Sequence, residues 1–250
     1  MTKTVLITGA TAGFGKAMAE RYAAEGWQLV LTGRRSDRLE QLKQDLTPAK
    51  VHTITFDIRD KEACFKAVEK LPSGFKNVDV LVNNAGLALG LDPAQSCDLT
   101  DWETMIDTNI KGLMYMTRAL LPSMVERDQG HIVNLGSVAG TYPYPGGNCY
   151  GGTKAFVNHF SKNLLADLLG TKIRVTNIEP GLCESEFSVV RFKGDKNSAD
   201  KVYQGTQPIV PQDIAEIVYW TTTLPAHINI NSLEVMPVDQ AFSPFAINRK

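Results

Sequence analysis

The stretch that most constrains this chain lies at its start. Thr4-Val5-Leu6-Ile7-Thr8 is short, almost wholly apolar and β-branched, the composition of a strand buried on both faces of a parallel sheet. It runs into Gly9-Ala10-Thr11-Ala12-Gly13-Phe14-Gly15, after which Ala17, Met18, Tyr22 and Ala23 recur at helical spacing until Gly26. Residues 27–32 then read as a second strand, which closes one strand–helix–strand unit.

The same alternation fills the rest of the chain. A helix is expected from about 37 to 46, a strand at 51–56, a helix at 61–71 and a strand at 78–82. One long helical pattern covers 102–125 and is followed by a strand at 131–135. A helix over 150–168, a strand at 173–178, an irregular segment from 181 to about 207, a helix at 211–223 and a strand near 233–236 complete the chain. Seven strands alternating with helices predict a doubly wound α/β fold: a parallel sheet with helices on both faces and ligands at the carboxyl ends of the strands. No Pro/Gly/Ser-rich linker or low-complexity segment divides the 250 residues, so one domain over 1–250 is expected.

Composition narrows the function classes. A formal net charge of -1 gives no support for a nucleic-acid or anionic-membrane partner. Met1-Thr2-Lys3 leads into the first strand without a signal-peptide pattern, and no apolar run is long enough to span a bilayer, so a cytoplasmic location is expected. Cys64, Cys97, Cys149 and Cys183 lack Cys-x-x-Cys spacing and the four His are scattered, so free thiols and no metal site are expected.

The residues that carry chemistry fall where strands end. At Gly9, Gly13 and Gly15 the backbone can approach a pyrophosphate, which the helix N-terminus favours electrostatically; Thr11 and Phe14 lie in the same turn. About 20 positions on, where a nucleotide site for NAD carries an acidic residue, stands Thr32-Gly33-Arg34-Arg35. Two guanidiniums suit a ribose 2′-phosphate and predict NADP(H), the bland alternative being a basic helix start. Asp57 is placed either to meet the adenine amino group or to cap the next helix. Asn83-Asn84-Ala85-Gly86 follows the fourth strand, where Asn side chains would hold the strand end in shape beside the cofactor. Tyr150 and Lys154 lie one helical turn apart, so the ammonium can act on the phenol, and such a tyrosine can exchange a proton with an alcohol or carbonyl oxygen.

Taken together, the loop Thr8–Gly15, Asn83–Gly86, Asn109, Ser137, the Tyr150/Lys154 pair and Pro180-Gly181 resemble, in order and spacing and from end to end, the short-chain dehydrogenase/reductase family with its Rossmann-like fold. The resemblance implies that Tyr150 is the general acid/base and that Lys154 lowers its pKa and holds the nicotinamide ribose. It further implies that Ser137 bonds the substrate oxygen and that Asn109 anchors a relay water. Pro180, Gly181 and Ser185 resemble the segment that wraps the nicotinamide amide, and Cys183 stands there as either a small hydrophobe or a thiol whose alkylation would block the cofactor. Within the segment 184–207, aromatic and aliphatic residues at 187–195 interleave with two cations, which suits either a substrate lid or a solvated loop with chance charges. With Thr32–Arg35 and Tyr142–Asn148 the segment resembles the NADP-dependent 3-hydroxy acid dehydrogenases of the family. On that reading Arg191, Tyr144 and Asn148 meet a small hydroxy acid or aldehyde acid, such as L-serine, L-allo-threonine or 3-hydroxypropionate. A general carbonyl reductase for bulkier ketones and a non-catalytic NADP(H) sensor remain open. The helices over 102–125 and 150–168, with the tail 237–250, imply a homotetramer.

Overall fold

The computed structural model describes residues 2–242 and Ile247. Parts of the 237–250 tail therefore lie outside the described residues, and its expected role in assembly goes with them.

Seven parallel strands form one sheet in the order β3-β2-β1-β4-β5-β6-β7. They are β1 (Thr4–Thr8), β2 (Gln28–Gly33), β3 (Val51–Thr55), β4 (Val80–Asn83), β5 (Gly130–Leu135), β6 (Ile173–Pro180) and β7 (Ser232–Val235). The chain reverses its direction of travel across the sheet between β1, which pairs with β2 on one side, and β4 on the other. That reversal opens a crevice beyond the strand ends, where ligands of such sheets bind.

Side chains alternate across the sheet as a period of two demands. Val5, Ile7, Leu29, Leu31, Val80 and Val82 face one core, into which α1 (Gly13–Ala24), α2 (Ser36–Asp45) and α9 (Pro211–Thr223) insert Met18, Leu39 and Ile214. Leu6, Val30, Leu81 and Ile132 face the opposite core, filled from α3 (Lys61–Glu69), α5 (Leu113–Glu126) and α6 (Asn148–Asp167) by Cys64, Met116, Leu120 and Leu164. Each such side chain contributes ~1.5–3 kcal/mol by leaving water, so the two cores and not the turns hold the strand ends in place.

Two elements differ from the sequence expectation. The pattern over 102–125 is not one α-helix: α4 (Leu99–Ile106) and α5 are joined by a π-helical stretch, Asp107–Gly112. The segment expected to be irregular contains two short helices, α7 (Glu186–Arg191) and α8 (Lys196–Lys201). On the helices from which a homotetramer was expected, Leu113, Met116 and Leu164 are buried, whereas Met114 is exposed.

Candidate active site

A cleft of about 350 Å³ lies over the switch between β1 and β4 and brings together residues from six of the seven strand ends. Its floor begins with the β1–α1 turn. Gly9 has φ +68, a conformation that costs other residues but not glycine, and a Cβ there would press on Ala85 at 3.0 Å. A Cβ on Gly15 would collide with the Gly9 carbonyl oxygen and sit 2.7 Å from Asn84 Nδ2, so both glycines are required for the turn to close. No side chain caps the start of α1 among the described residues, which leaves its first N–H groups facing the cleft.

Asn84 fastens this turn to the neighbouring strand. Its Nδ2 donates to the carbonyls of Thr8 (2.8 Å) and Gly9 (3.2 Å), while the Thr8 hydroxyl accepts from the backbone N–H groups of Asn84 and Ala85, each at 3.0 Å. Gly86 continues the turn without a side chain, where a Cβ would lie 3.2 Å from Asn109 Oδ1 and 3.5 Å from Lys154 Nζ.

The catalytic candidates converge from three elements. Asn109 sits in the π-helical stretch, accepts from Leu87 N at 2.9 Å, and donates to Leu87 O at 2.8 Å and to Thr153 Oγ1 at 3.0 Å. Ser137 follows β5; its hydroxyl donates to Pro180 O at 3.4 Å, accepts from Ala139 N at 3.1 Å to cap that turn, and lies near enough to the Tyr150 phenol to favour its ionised form. Gly146, with φ +76, and Gly147, whose Cα lies against the Tyr144 ring, turn the chain into α6, on which Tyr150 and Lys154 share a face. The Lys154 ammonium donates to Leu135 O at 2.7 Å and lies 5.7 Å from the centre of the Tyr150 ring.

The electrostatics depart from the simple Tyr/Lys picture. Burial pushes the Tyr150 phenol up to about 12, against opposing pulls from the Arg191 guanidinium and the Ser137 hydrogen bond. Burial also brings Lys154 down to about 8. In this state of the molecule the cation acting on Tyr150 is Arg191, whose guanidinium carbon lies 5.0 Å from the Tyr150 ring centre, 5.1 Å from Phe187 and 5.9 Å from Tyr144. Arg191 also donates to Tyr144 Oη at 3.0 Å, has no carboxylate partner among the described residues, and keeps a buried Nε with no hydrogen bond.

Some predicted residues are placed differently. Arg34 and Arg35 both line the cleft but point apart: Arg34 lies 4.0 Å from Asp57, while Arg35 reaches back to the glycine turn and forks onto Thr11 Oγ1 at 3.1 and 2.7 Å. Asp57 lines the cleft, yet its carboxylate is engaged by Arg59 at 2.6 Å, a hydrogen bond that holds it below the usual carboxylate range. Asn148, Tyr144 and Arg191 were all expected to meet substrate, and none of the three is among the residues that line the cleft. Asn148 accepts from Trp102 Nε1 at 3.0 Å and donates to Asp92 O at 3.1 Å, pinning the start of α6, while Arg191 and Tyr144 bond each other behind Tyr150 and Phe187, which do line it. Pro180 ends β6, the N–H of Gly181 donates to Val235 O at 2.7 Å, and Ser185 caps α7. Cys183 packs against the first core, and burial pushes its thiol up to about 12, the behaviour of a small hydrophobe. Phe187 lines the cleft without having been singled out as a site residue, and Arg38, also not singled out, does not line the cleft but bonds Glu186, which does. Arg38 could have been found from its place one turn beyond Arg35 on α2; Phe187, whose ring lies 5.6 Å from that of Tyr150, had no signal beyond being aromatic.

These residues fit a dinucleotide. The glycine turn and uncapped helix start suit a pyrophosphate, the arginines of α2 a further phosphate, and the cleft has the size of ordinary small-molecule sites.

The comparisons with known proteins agree with this geometry. The chain is 56% identical over 246 residues to the NADP-dependent 3-hydroxy acid dehydrogenase YdfG of Salmonella typhi, covering 98% of this chain and 99% of that protein. It is 54% identical over 250 residues to a serine 3-dehydrogenase of Rhizobium radiobacter, and 53% identical over 251 residues to sulfoacetaldehyde reductase 2 of Chromohalobacter salexigens, each over the full length of both chains. Among solved structures it superposes on the closed form of a serine dehydrogenase complexed with NADP+, with a TM-score of 0.95 and 54% identity over 99% of this chain and 100% of that one. The family model for short chain dehydrogenases matches residues 3–196, and the chain belongs to that family.

Proposed function

We propose that this chain is an NADP(H)-dependent oxidoreductase that interconverts the 3-hydroxyl and 3-carbonyl of small hydroxy acids, L-serine, L-allo-threonine and 3-hydroxypropionate among them. The observation that carries the acid specificity is Arg191: a cation without a carboxylate partner among the described residues, stacked 5.0 Å from the ring of the tyrosine that would serve the reacting oxygen. A carboxylate one carbon from the reacting centre would reach that guanidinium while its hydroxyl lies at Tyr150. The names of the similar proteins support the reading, since each acts on a small acid or its aldehyde.

In this mechanism Tyr150 takes the proton from the substrate hydroxyl, or returns it to the carbonyl oxygen in reverse, and Ser137 donates to the same oxygen as charge develops on it. Lys154 spends one of its three N–H donors on Leu135, and the others are available to a ribose and to the phenol. Asn109 holds Leu87 and Thr153 in place behind that group. A nicotinamide held over Tyr150 by Lys154 and the 180–185 segment would, when bound, supply or receive the hydride. The segment 184–207 acts as a lid that brings Phe187 and Arg191 over Tyr150 and excludes water.

The test is absorbance of the reduced nicotinamide with NADP and NAD, each offered L-serine, L-allo-threonine, 3-hydroxypropionate and a neutral secondary alcohol. Turnover of the acids with NADP far above NAD is expected; equal use of NAD or activity confined to the neutral alcohol overturns the reading. Assembly as a cytoplasmic homotetramer is part of the proposal. It is supported by Ile106 and Met114, 37% and 39% exposed on α4 and α5, and by the stacked pair Phe156 and Phe160 on α6. A monomer mass by light scattering at micromolar concentration would refute it. Among the described residues no helix is long and apolar enough to cross a membrane.

A further inference from the structure

Of the two arginines predicted for the 2′-phosphate, Arg35 is already occupied, with Arg38 beside it, by an anion of the chain itself, while Arg34 faces Asp57. Glu186, the first residue of α7, accepts from Arg38 Nη1 at 3.0 and 3.2 Å and from Arg35 Nη1 at 3.3 Å. It lines the cleft beside Arg34, Arg35 and Thr11. The same short helix carries Phe187 against Tyr150 and, at its other end, Arg191. One element of six residues thus touches both the phosphate end and the nicotinamide end of the cleft.

We propose that Glu186 tempers the preference for a 2′-phosphate, as an internal competitor that occupies Arg35 and Arg38 until a nucleotide bearing that phosphate displaces it. The inference rests on the reading of those arginines as the phosphate site. A phosphate dianion offers more charge and more acceptor oxygens than a carboxylate, so it wins the guanidiniums on contact. A nucleotide with a bare 2′-hydroxyl cannot make that exchange. The carboxyl is held ionised for the purpose: burial opposes its charge, and the two guanidiniums outweigh burial and keep it below its ordinary range.

The consequence is a penalty that falls on the phosphorylated nucleotide alone, because only that nucleotide needs the arginines. If Glu186 holds the pair for between about two-thirds and nine-tenths of the time, the apparent affinity for a 2′-phosphate is reduced roughly three- to tenfold. The contacts are half-exposed, which places the effect in that modest range.

The experiment measures binding of adenosine 2′,5′-bisphosphate and adenosine 5′-monophosphate to the full chain and to Glu186→Gln by calorimetry. The expected result is a roughly three- to tenfold tighter bisphosphate and a monophosphate changed by less than about twofold. Unchanged or weaker bisphosphate binding in Glu186→Gln overturns the proposal, as does an equal change for both nucleotides, which would mark Glu186 as a structural tether. The double variant Arg35→Ala/Arg38→Ala separates the two readings. If it keeps the preference for the bisphosphate, the assignment of the arginines fails and this proposal with it. If it loses that preference while Glu186→Gln binds no tighter, only the role of Glu186 falls.

Discussion

The floor of the cleft and the segment above it are built by opposite means. On the floor, Asn109, Tyr150 and Lys154 are fixed by hydrogen bonds that are largely buried: Asn109 to Leu87 and Thr153, Lys154 to Leu135. Beneath them Asn83 donates to Thr117 and Asn134, and Asn134 donates to Ser161, so β4, β5, α5 and α6 share one buried polar network. Above, α7 and α8 are anchored inside by the buried Ser188 and Ala199 and by Tyr203, whose hydroxyl bonds Ser188 and donates to Cys183 O at 3.0 Å. On the cleft side, however, they rest on ion pairs that solvent reaches, Glu186 on Arg35 and Arg38 and Lys193 on Asp101 at 2.7 Å, together with the bond from Gly90 N to Arg191 O. Buried polar groups that hydrogen-bond one another are costly to disturb, even in a network where Asn83 Oδ1 has no partner of its own, whereas an exposed ion pair is worth ~0–1 kcal/mol and exchanges readily for a ligand's charge. Proton transfer needs the first arrangement; admission and choice of ligand need the second.

A floor substitution should therefore remove chemistry outright, and Tyr150→Phe is the severest case. Loss of the proton donor and acceptor is expected to lower kcat by ~10²–10⁴-fold with the fold intact by circular dichroism. A loss below tenfold would move the acid/base role elsewhere and erase the contrast between floor and lid.

The next effect comes from the buried ammonium. Lys154 lies at about 8, below its ordinary 10.5, so the folded state binds fewer protons than the unfolded state between these values, and stability rises with pH through that window. The whole shift corresponds to ~3 kcal/mol. Lys154→Met lacks this dependence. Between pH 8 and 10.5 the stability of the parent chain, read by urea unfolding, should therefore gain on that of the variant, and a constant gap would mean that the ammonium is not buried at a cost.

The same contrast explains what could be read in advance. The strand Thr4–Thr8 and the helix Pro211–Thr223 were legible to the residue, the first because a short unbroken apolar run ends at a glycine turn and the second because its apolar side chains recur at helical period behind a proline. The floor was legible for a related reason: Tyr150 and Lys154 stand on one helix, and their spacing alone sets their geometry. The π-helical stretch at Asp107–Gly112 escaped notice because a single wider turn barely alters the apolar stripe around it. Both helices of the lid are six residues long, too short for a periodicity to declare itself. Arg38 and Glu186 were missed because their partnership spans 148 positions of sequence and depends on how α7 lies over α2. Asn148 reads as a polar residue beside the catalytic helix, and only the positions of Trp102 and Asp92 show that its side chain is already engaged.

The central claim is that the floor performs one reaction and that Arg191 selects acids for it. Steady-state kinetics of Arg191→Ala with NADP, on L-allo-threonine and on a neutral secondary alcohol, tests it most directly. A charge-assisted contact of this kind is worth ~1.5–3 kcal/mol, so kcat/KM for the acid should fall ~10–100-fold while that for the alcohol changes less than about threefold. An equal loss on both substrates would contradict the claim and leave Arg191 as a residue that serves Tyr150 and not the substrate.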